Sequence, residues 1–235
     1  MRFLSDKRAQ LDKDPSDMMD MFSHVAPRYD LMNDVASMGQ DRWWRHHTLD
    51  ALAPQEGEII LDLAAGTGAS SLPIARAGAT VVATDLTEAM VKIGKRRYPQ
   101  QSFVVGDALK LPYADASFDA ATMSFGLRNV VNPGIVLAEL CRVVRPGGTL
   151  VICEFSRPPS AVTRFMYRLW LKVAIPLVSK LASSHAPAYS YLSESILNWP
   201  DQRRLATMLE LAGWTKIQWR NLTGGIVALH RAVRP

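Results

Sequence analysis

From residue 58 onward the chain alternates short apolar runs with amphipathic stretches. The predicted strands span 58–65, 80–86, 102–108, 118–125 and 149–155, and the predicted helices span 70–77, 88–97 and 133–144. The runs are apolar at consecutive positions, which is typical of parallel strands that are covered on both faces. The pattern therefore predicts an α/β fold, an open and mostly parallel sheet with helices on both sides.

The two ends of the chain follow other patterns. Residues 1–57 contain no clear strand and are predicted to be helical and loop-like, with breaks at Pro15, Pro27 and Pro54. A helix is predicted at 201–212, followed by two strands at 214–222 and 226–233, which the tight turn Thr223-Gly224-Gly225 joins into an antiparallel hairpin. We expect a single domain made of an N-terminal cap segment (1–57), a cofactor-binding core (58–156), a lid or membrane-facing insertion (157–200) and a C-terminal helix with a strand hairpin (201–235).

The charge is distributed unevenly. Residues 1–156 carry 16 Lys and Arg against 19 Asp and Glu, whereas residues 157–235 carry 11 against 3. A basic region can meet nucleic acid, an anionic membrane surface or an acidic substrate, and charge alone does not choose among them. The aromatic residues of the basic region lie in apolar runs and are not interleaved with basic residues along a stacking surface, which argues against a nucleic-acid partner.

Compartment and metal content are predicted from a few absences in the sequence. No uncharged apolar stretch reaches the roughly 18 to 20 residues that span a bilayer, and the N-terminus lacks the apolar core of a secretory signal. Cys141 and Cys153 lie in apolar surroundings and are predicted to be buried, reduced thiols. The five histidines have no metal-ligand spacing with them. These features indicate a cytoplasmic protein without a metal site.

Glycines and acidic residues stand where the predicted strands end. Gly66-Thr67-Gly68 follows the first strand, Asp85 ends the second, Gly106-Asp107-Ala108 ends the third, and Ser124-Phe125-Gly126 ends the fourth. Ligands of open α/β sheets bind at these carboxyl ends. A carboxylate at the second end can accept both hydroxyls of a ribose, and one at the third can accept from the exocyclic amine of adenine. The pattern indicates a ligand of adenosine type.

The loop after the first strand favours one such ligand. A dinucleotide motif needs a third glycine near position 71, where Ser71 stands, and the loop has no basic residue to meet a phosphate. S-adenosylmethionine, which carries a sulfonium and an amino acid, fits better, and Asp62 is expected near its ammonium group. The predicted cofactor-binding residues are Asp62, Gly66, Thr67, Gly68, Asp85, Leu86, Asp107, Ala108 and Ser124. A nucleotide-dependent oxidoreductase is the alternative from another class.

Two longer motifs resemble the signatures of the ubiquinone/menaquinone biosynthesis C-methyltransferases. The first reads Tyr29-Asp30-Leu31-Met32-Asn33, then Ser37 and Trp44; the second runs from Arg142-Val143-Val144-Arg145-Pro146-Gly147-Gly148 to Glu154-Phe155-Ser156. The stretches 124–130 and 220–230 are also similar, so the likeness runs from about residue 12 to 233, and it is strongest to the actinobacterial group that acts on demethylmenaquinone. Three positions depart from the pattern. Asp41 replaces the usual histidine, Arg145 replaces the usual lysine, and Ala64 replaces the first glycine found in many methyltransferases.

The resemblance implies a fold and an activity. The fold would be that of a class I S-adenosylmethionine-dependent methyltransferase, Rossmann-like, with seven strands of which the last hairpin strand is antiparallel. The activity would be methyl transfer to a ring carbon of 2-demethylmenaquinol, giving menaquinol, without a metal. A different quinol, a small phenol or a sterol is the alternative acceptor.

The resemblance also implies roles for individual residues. Arg128, Asn129 and Tyr29 would be catalytic, and Asp30, Asn33, Phe125 and Arg128 would contact the substrate. A surface salt bridge is the alternative for Arg128. Helix capping and lid packing are the alternatives for the residues of the N-terminal segment.

A polyprenyl naphthoquinol lies in the bilayer, so such an enzyme has to reach the membrane. The segment 165–181 is apolar with Arg168, Lys172 and Lys180 interspersed, and Pro176 is predicted to kink it. Each central Lys or Arg makes a span costly, by roughly 2.5 to 3.5 kcal/mol. The segment is predicted to lie in the interface or to cover the prenyl tail, with an ordinary lid helix as the alternative. We expect a protein bound peripherally to the inner face of the cell membrane, with a homodimer left open.

Overall fold

A computed structural model describes residues 13–26, 30, 33–34, 37–174 and 186–235 of the chain. Its strands are β1 Ile59–Leu63, β2 Thr80–Asp85, β3 Ser102–Val105, β4 Phe118–Ser124, β5 Val144–Phe155, β6 Thr215–Leu222 and β7 Val227–Val233. They form one seven-stranded sheet in the order β3-β2-β1-β4-β5-β7-β6. β7 runs antiparallel to both β5 and β6, and the other pairs are parallel. The predicted α/β sheet with an antiparallel C-terminal hairpin is confirmed.

Eight α-helices lie within the described ranges. They are α1 Pro15–Val25, α2 Gln40–Leu52, α3 Ser71–Arg76, α4 Glu88–Arg97, α5 Pro133–Val143, α6 Ala161–Leu169, α7 Ala186–Asn198 and α8 Gln202–Leu211. Short 3-10 turns cover Leu127–Asn129 and Thr223–Gly225, and a π-helical turn, Trp170–Ala174, follows α6. Pro176, the predicted kink, and Pro27 lie outside the described residues.

The predicted break at Pro15 is wrong. Pro15 is the first residue of α1, and the Asp14 carboxylate accepts a hydrogen bond from the Ser16 backbone N–H at 2.8 Å. Proline is tolerated at the first position of a helix because the N–H that it lacks has no partner there in any case. The residue therefore starts a helix instead of interrupting one.

Both faces of the sheet are buried, which explains why its central strands read as continuous apolar runs. Ile60 and Leu61 are adjacent in β1 and both fully buried, but they belong to two different clusters. One cluster contains Leu140 of α5 and Leu209 of α8, and the other contains Trp44 of α2. Because side chains alternate across a strand, each face of β1 has its own helix layer.

The fifth strand differs from the prediction at its start. The sequence predicts a Pro146-Gly147-Gly148 turn before the strand, whereas β5 already pairs with β4 at Val144 and resumes its register at Thr149. The intervening residues form an irregularity in the strand. A Cβ at Gly148 would lie 2.5 Å from the Asp119 carbonyl oxygen, so the close backbone approach requires glycine.

The strand order places the site. β1 lies between β2 and β4, so the chain first builds outward on one side of β1 and then crosses to the other. This is the switch point at which open α/β sheets bind ligands, outside the carboxyl ends of the strands.

Candidate active site

Two cavities lie at the carboxyl edge of the sheet and share a wall. The strand-end cavity, about 110 Å³, follows the ends of β2, β3 and β4 and is closed by α1. The lid cavity, about 330 Å³, lies between α2, the end of β1, α6 and α7. Both are lined by Ala64, Gly66, Ser124 and Phe125. A ligand in one cavity would therefore meet a ligand in the other at these four residues.

The junction between the cavities has a strained backbone. Ala64 and Phe125 follow β1 and β4, and they have φ values of 55° and 56°. Residues other than glycine seldom adopt this left-handed conformation, and such outliers cluster at functional sites. Ala64 thus keeps the conformation of the glycine that it replaces. Gly126 makes room for it, since a Cβ at Gly126 would lie 2.5 Å from the Ala64 Cβ.

The strand-end cavity presents two carboxylates. The Asp85 oxygens accept backbone N–H bonds from Gly66 at 2.9 Å and Thr87 at 2.8 Å, and Asp107 accepts one from Leu109 at 2.9 Å. A carboxylate oxygen can accept two hydrogen bonds, so both groups keep acceptor capacity. Burial raises the pKa of Asp85. Leu86 and Ala108 line the same cavity. The arrangement suits the two hydroxyls and the amine of an adenosine.

Asp62 lies at the base of the lid cavity. It is almost fully buried and accepts a hydrogen bond from the Ser71 hydroxyl at 2.6 Å. Burial raises the pKa of Asp62 to about 6, and the Ser71 bond opposes that shift. A cationic group entering the cavity would favour the ionised form. Ser71 stands where a dinucleotide site needs glycine, and here its hydroxyl positions the Asp62 carboxylate through this hydrogen bond.

The N-terminal segment reaches the glycine turn through Asp30. Its carboxylate accepts a hydrogen bond from the Thr67 hydroxyl at 2.9 Å and forms an ion pair with Arg97. Asp30, Asn33 and Thr67 line the lid cavity. Tyr29, which was predicted to be catalytic, lies outside the described residues.

Gly68, predicted to bind the cofactor, lines neither cavity. Its φ is +87°, and a Cβ there would lie 2.6 Å from the Phe103 ring. Glycine at this position therefore serves the turn and its packing against β3.

Arg128 lies in the wall of the lid cavity, and it is paired with Glu154, a carboxylate for which the sequence predicted no role. Only 6% of Arg128 and 1% of Glu154 is exposed. Arg128 Nη1 donates to Glu154 Oε1 at 2.9 Å and to the Phe125 carbonyl at 2.5 Å. Arg128 Nε has no hydrogen-bond partner among the residues that the structure describes. The pair is therefore a buried one, not a surface salt bridge, and the Arg128 Nε–H remains available to a ligand.

The two neighbouring residues that were predicted to be catalytic face different cavities. Asn129 lines the strand-end cavity, where its Oδ1 accepts a hydrogen bond from the Tyr191 hydroxyl at 3.2 Å. Arg128 lines the lid cavity, and Phe125 lines both. The 3-10 turn thus supplies one polar side chain to each side of the junction.

The far wall of the lid cavity is polar. Arg45 donates to the Ser70 hydroxyl at 2.5 Å, and its Nε lies 3.5 Å from the Asp41 carboxylate. Burial raises the pKa of Asp41, and Arg45 opposes that shift. Trp44 donates to the Thr223 hydroxyl at 2.8 Å. Arg45 gave no signal in the sequence, whereas Glu154 could have been noticed as a carboxylate in an apolar strand.

Two further kinds of feature bear on the site: clusters of metal-binding side chains and helices that could span a membrane. Among the described ranges, no three His, Cys, Asp or Glu side chains lie close enough together to hold a metal ion. Within the same part of the chain, no helix is long and apolar enough to cross a bilayer.

Solved structures share this fold. The [4+2]-cyclase SpnF superposes with a TM-score of 0.69 at 18% identity, covering 94% of this chain and 96% of that one. The Haemonchus contortus phosphoethanolamine N-methyltransferase 2, solved with S-adenosylmethionine, gives a TM-score of 0.62 at 14% identity and covers 81% of this chain and 52% of that one. At such identities the likeness concerns the fold alone.

Curated relatives are much more similar in sequence. The demethylmenaquinone methyltransferase of Beutenbergia cavernae is 56% identical over 225 residues, which are 96% of this chain and 94% of the relative. That of Streptomyces avermitilis is 52% identical over 227 residues, which are 97% and 98% of the two chains. The model of the ubiE/COQ5 methyltransferase family matches residues 9–234. The chain belongs to the ubiE/COQ5 methyltransferase family.

Proposed function

We propose that this protein transfers a methyl group from S-adenosylmethionine to a ring carbon of 2-demethylmenaquinol and so produces menaquinol. The observation that carries the proposal is the contact between the two cavities at Ala64, Gly66, Ser124 and Phe125. Direct methyl transfer needs the sulfonium and the acceptor carbon side by side and in line. Relatives that are 51–56% identical over nearly the whole chain are demethylmenaquinone methyltransferases, which supports this acceptor.

The cofactor fits across the junction. Its adenosine would occupy the strand-end cavity, with the ribose on Asp85 and the adenine amine on Asp107. Its methionyl part would pass Gly66 into the lid cavity, where Asp62 would face the ammonium group. The methyl group would then point at the space beside Phe125 and Arg128.

The chemistry follows from the acceptor. Carbon is a poor nucleophile unless its ring is electron-rich, and a hydroquinone becomes more so as a hydroxyl loses its proton. The hydroxyl gives its proton to water, and the new C–C bond forms while the S–CH₃ bond breaks and S-adenosylhomocysteine leaves. Loss of the ring proton then restores aromaticity and the ring oxygen is protonated again, so one proton is released for each methyl group transferred. The unpartnered Arg128 Nε–H would stabilise the developing phenolate. Glu154 holds the guanidinium in place for that contact.

A transfer assay with labelled S-adenosylmethionine tests the assignment. Reduced 2-demethylmenaquinol should be methylated with a kcat/KM at least roughly tenfold above that for a demethoxy-type benzoquinol or a sterol, because the lid cavity must both fit the ring and bind its oxygen. S-adenosylhomocysteine formation without acceptor provides the background. Preferred methylation of the benzoquinol or the sterol would assign the chain a different acceptor.

We further propose that α6 docks on the membrane. Its exposed apolar residues recur at helical spacing and form one stripe: Val162, Phe165, Met166 and Leu169, continued by Val173 in the following turn. Arg164, Arg168 and Lys172 form a basic stripe at the same spacing, and Tyr167 and Leu171 face inward. A helix that is apolar on one exposed face and basic beside it suits an interface with anionic lipid.

The position of this surface explains how a long-tailed substrate could enter. Met166 is 57% exposed and also lines the lid cavity, so the apolar stripe adjoins that cavity. A prenyl tail could stay in the bilayer while the ring enters. Arg164 is already bonded to the carbonyls of Pro158 at 3.0 Å and Pro159 at 2.9 Å. Arg168 and Lys172 are therefore the cations available to lipid.

The double variant Arg168→Ala/Lys172→Ala should bind phosphatidylglycerol-containing vesicles about thirtyfold more weakly, since each basic residue near an anionic surface is worth about 1 kcal/mol. Binding of the wild type should weaken as salt rises. Cosedimentation measures both effects, and Lys95→Ala/Arg96→Ala on the exposed face of α4 is the matched control.

Activity separates docking from a structural role. The Arg168→Ala/Lys172→Ala variant should lose activity on a long-tailed quinol in vesicles and keep it on a short-tailed, water-soluble quinol. Equal loss on both substrates would make the segment a structural lid. Unchanged vesicle binding would remove the proposed surface altogether.

A further inference from the structure

The inward face of α6 carries a hydroxyl group that makes no hydrogen bond to any described residue. Tyr167 is 9% exposed and lines the lid cavity, yet its hydroxyl has no hydrogen-bond partner among the residues that the structure describes. Buried polar atoms are nearly always bonded, so an unpaired one calls for an explanation. The hydroxyl of Tyr191 in α7, by contrast, donates a hydrogen bond to Asn129. A ligand in the lid cavity would supply the missing partner of Tyr167.

The surroundings of this hydroxyl define what it could bind. Its ring packs with Leu171, Ile196 and Phe155, and the charges of Arg128 and Glu154 act on its hydroxyl. Arg128 lines the same cavity and has its own unpartnered Nε. Two unpartnered donors from different elements, α6 and the turn after β4, thus belong to residues that line one cavity.

We propose that Tyr167 is a catalytic residue that hydrogen-bonds the same acceptor oxygen that Arg128 stabilises. Burial raises the pKa of Tyr167, so its phenol keeps its proton and donates to an oxygen that gains negative charge. Two donors on one oxygen suit a phenolate better than a neutral carbonyl. Because one donor belongs to α6, the oxygen site is complete only when this helix lies over the cavity. The proposal rests on the proposed methyl transfer to a quinol.

The test combines Tyr167→Phe with acceptors that lack one hydroxyl. Tyr167→Phe keeps the ring and its packing, and it should lower kcat/KM on the naphthohydroquinone about tenfold or more, the usual effect of losing one hydrogen bond to a charged group. Two monohydroxynaphthalene analogues each keep one of the two ring oxygens. Only the analogue whose hydroxyl is ortho to the acceptor carbon is activated for methyl transfer, so the two analogues are compared by calorimetric binding to the enzyme loaded with S-adenosylhomocysteine. The variant should bind the analogue that keeps the oxygen bound by Tyr167 more weakly than the wild type does, and the other analogue equally well.

Stability and binding separate this role from a structural one. Since the hydroxyl bonds to none of the described residues, Tyr167→Phe should melt at or above the wild-type temperature, and its affinity for S-adenosylhomocysteine should be unchanged. Tyr113→Phe is the control, because the Tyr113 hydroxyl lies 2.7 Å from that of Thr84, outside both cavities. That variant should lose stability but not discrimination between the two analogues.

Two outcomes would overturn the proposal: full kcat/KM of Tyr167→Phe on the hydroquinone, or an equal loss of affinity for both monohydroxy analogues. If the wild type does not methylate the naphthoquinol but calorimetry still shows that Tyr167 selects one phenolic oxygen, the proposed substrate fails and the assignment of Tyr167 stands.

Discussion

Oxidised 2-demethylmenaquinone should not be methylated, and the same sample should be methylated once it is reduced. The ring carbons of a quinone are electron-poor, and its oxygens carry no proton whose loss could push electrons into the ring. The only electron-rich form of this acceptor is the hydroquinone. We expect the rate with the quinone to be lower by more than about a thousandfold, or about 4 kcal/mol in the barrier.

The measurement compares labelled methyl transfer with and without a chemical reductant under anaerobic conditions, with no flavin or nicotinamide added. A naphthol analogue, which is electron-rich in both conditions, controls for any effect of the reductant on the protein. This control bears on the two free cysteines, of which Cys153 is fully buried. Equal methylation of quinone and quinol would refute the proposed nucleophile.

The residues that line the strand-end cavity could be predicted because they depend on local signals. Each strand end is marked in the sequence by a change from apolar residues to glycine or a carboxylate, as at Gly66, Asp85 and Asp107. One general rule, that the carboxyl ends of parallel strands share an edge, then brings these residues together. The structure places Asp85 and Asp107 in one cavity and Gly66 at its junction with the next.

The lid cavity depends on contacts that no local pattern in the sequence records. Glu154 meets Arg128 across 26 residues, and Arg45 meets Ser70 across 25. These pairs exist because β4 and β5 are neighbours and because α2 and the loop after β1 line the same cavity. Tyr167 could not be told from a core aromatic, since both are buried at helical spacing. Only the unpartnered hydroxyl distinguishes it, and that is visible in three dimensions alone.

The Arg128–Glu154 pair changes how the role of Arg128 can be tested. Removing one member of a buried ion pair leaves the other charge buried without a partner, which typically costs about 3–5 kcal/mol of folding free energy. Arg128→Ala alone would therefore mix a catalytic loss with a loss of stability. The double variant Arg128→Met/Glu154→Gln removes both charges and keeps the volume, so it should recover most of the stability.

Both variants should nevertheless lose turnover by about a hundredfold or more, the usual effect of removing one donor to a developing oxyanion. Affinity for S-adenosylhomocysteine should change little, because the proposed contacts of the cofactor are Asp62, Asp85 and Asp107 and not Arg128. Single-turnover transfer of the labelled methyl group measures the chemical step, calorimetry measures the affinity, and thermal unfolding measures the stability. If the double variant recovered activity together with stability, Arg128 would act through folding, whereas stability without activity would place its guanidinium at the reacting oxygen.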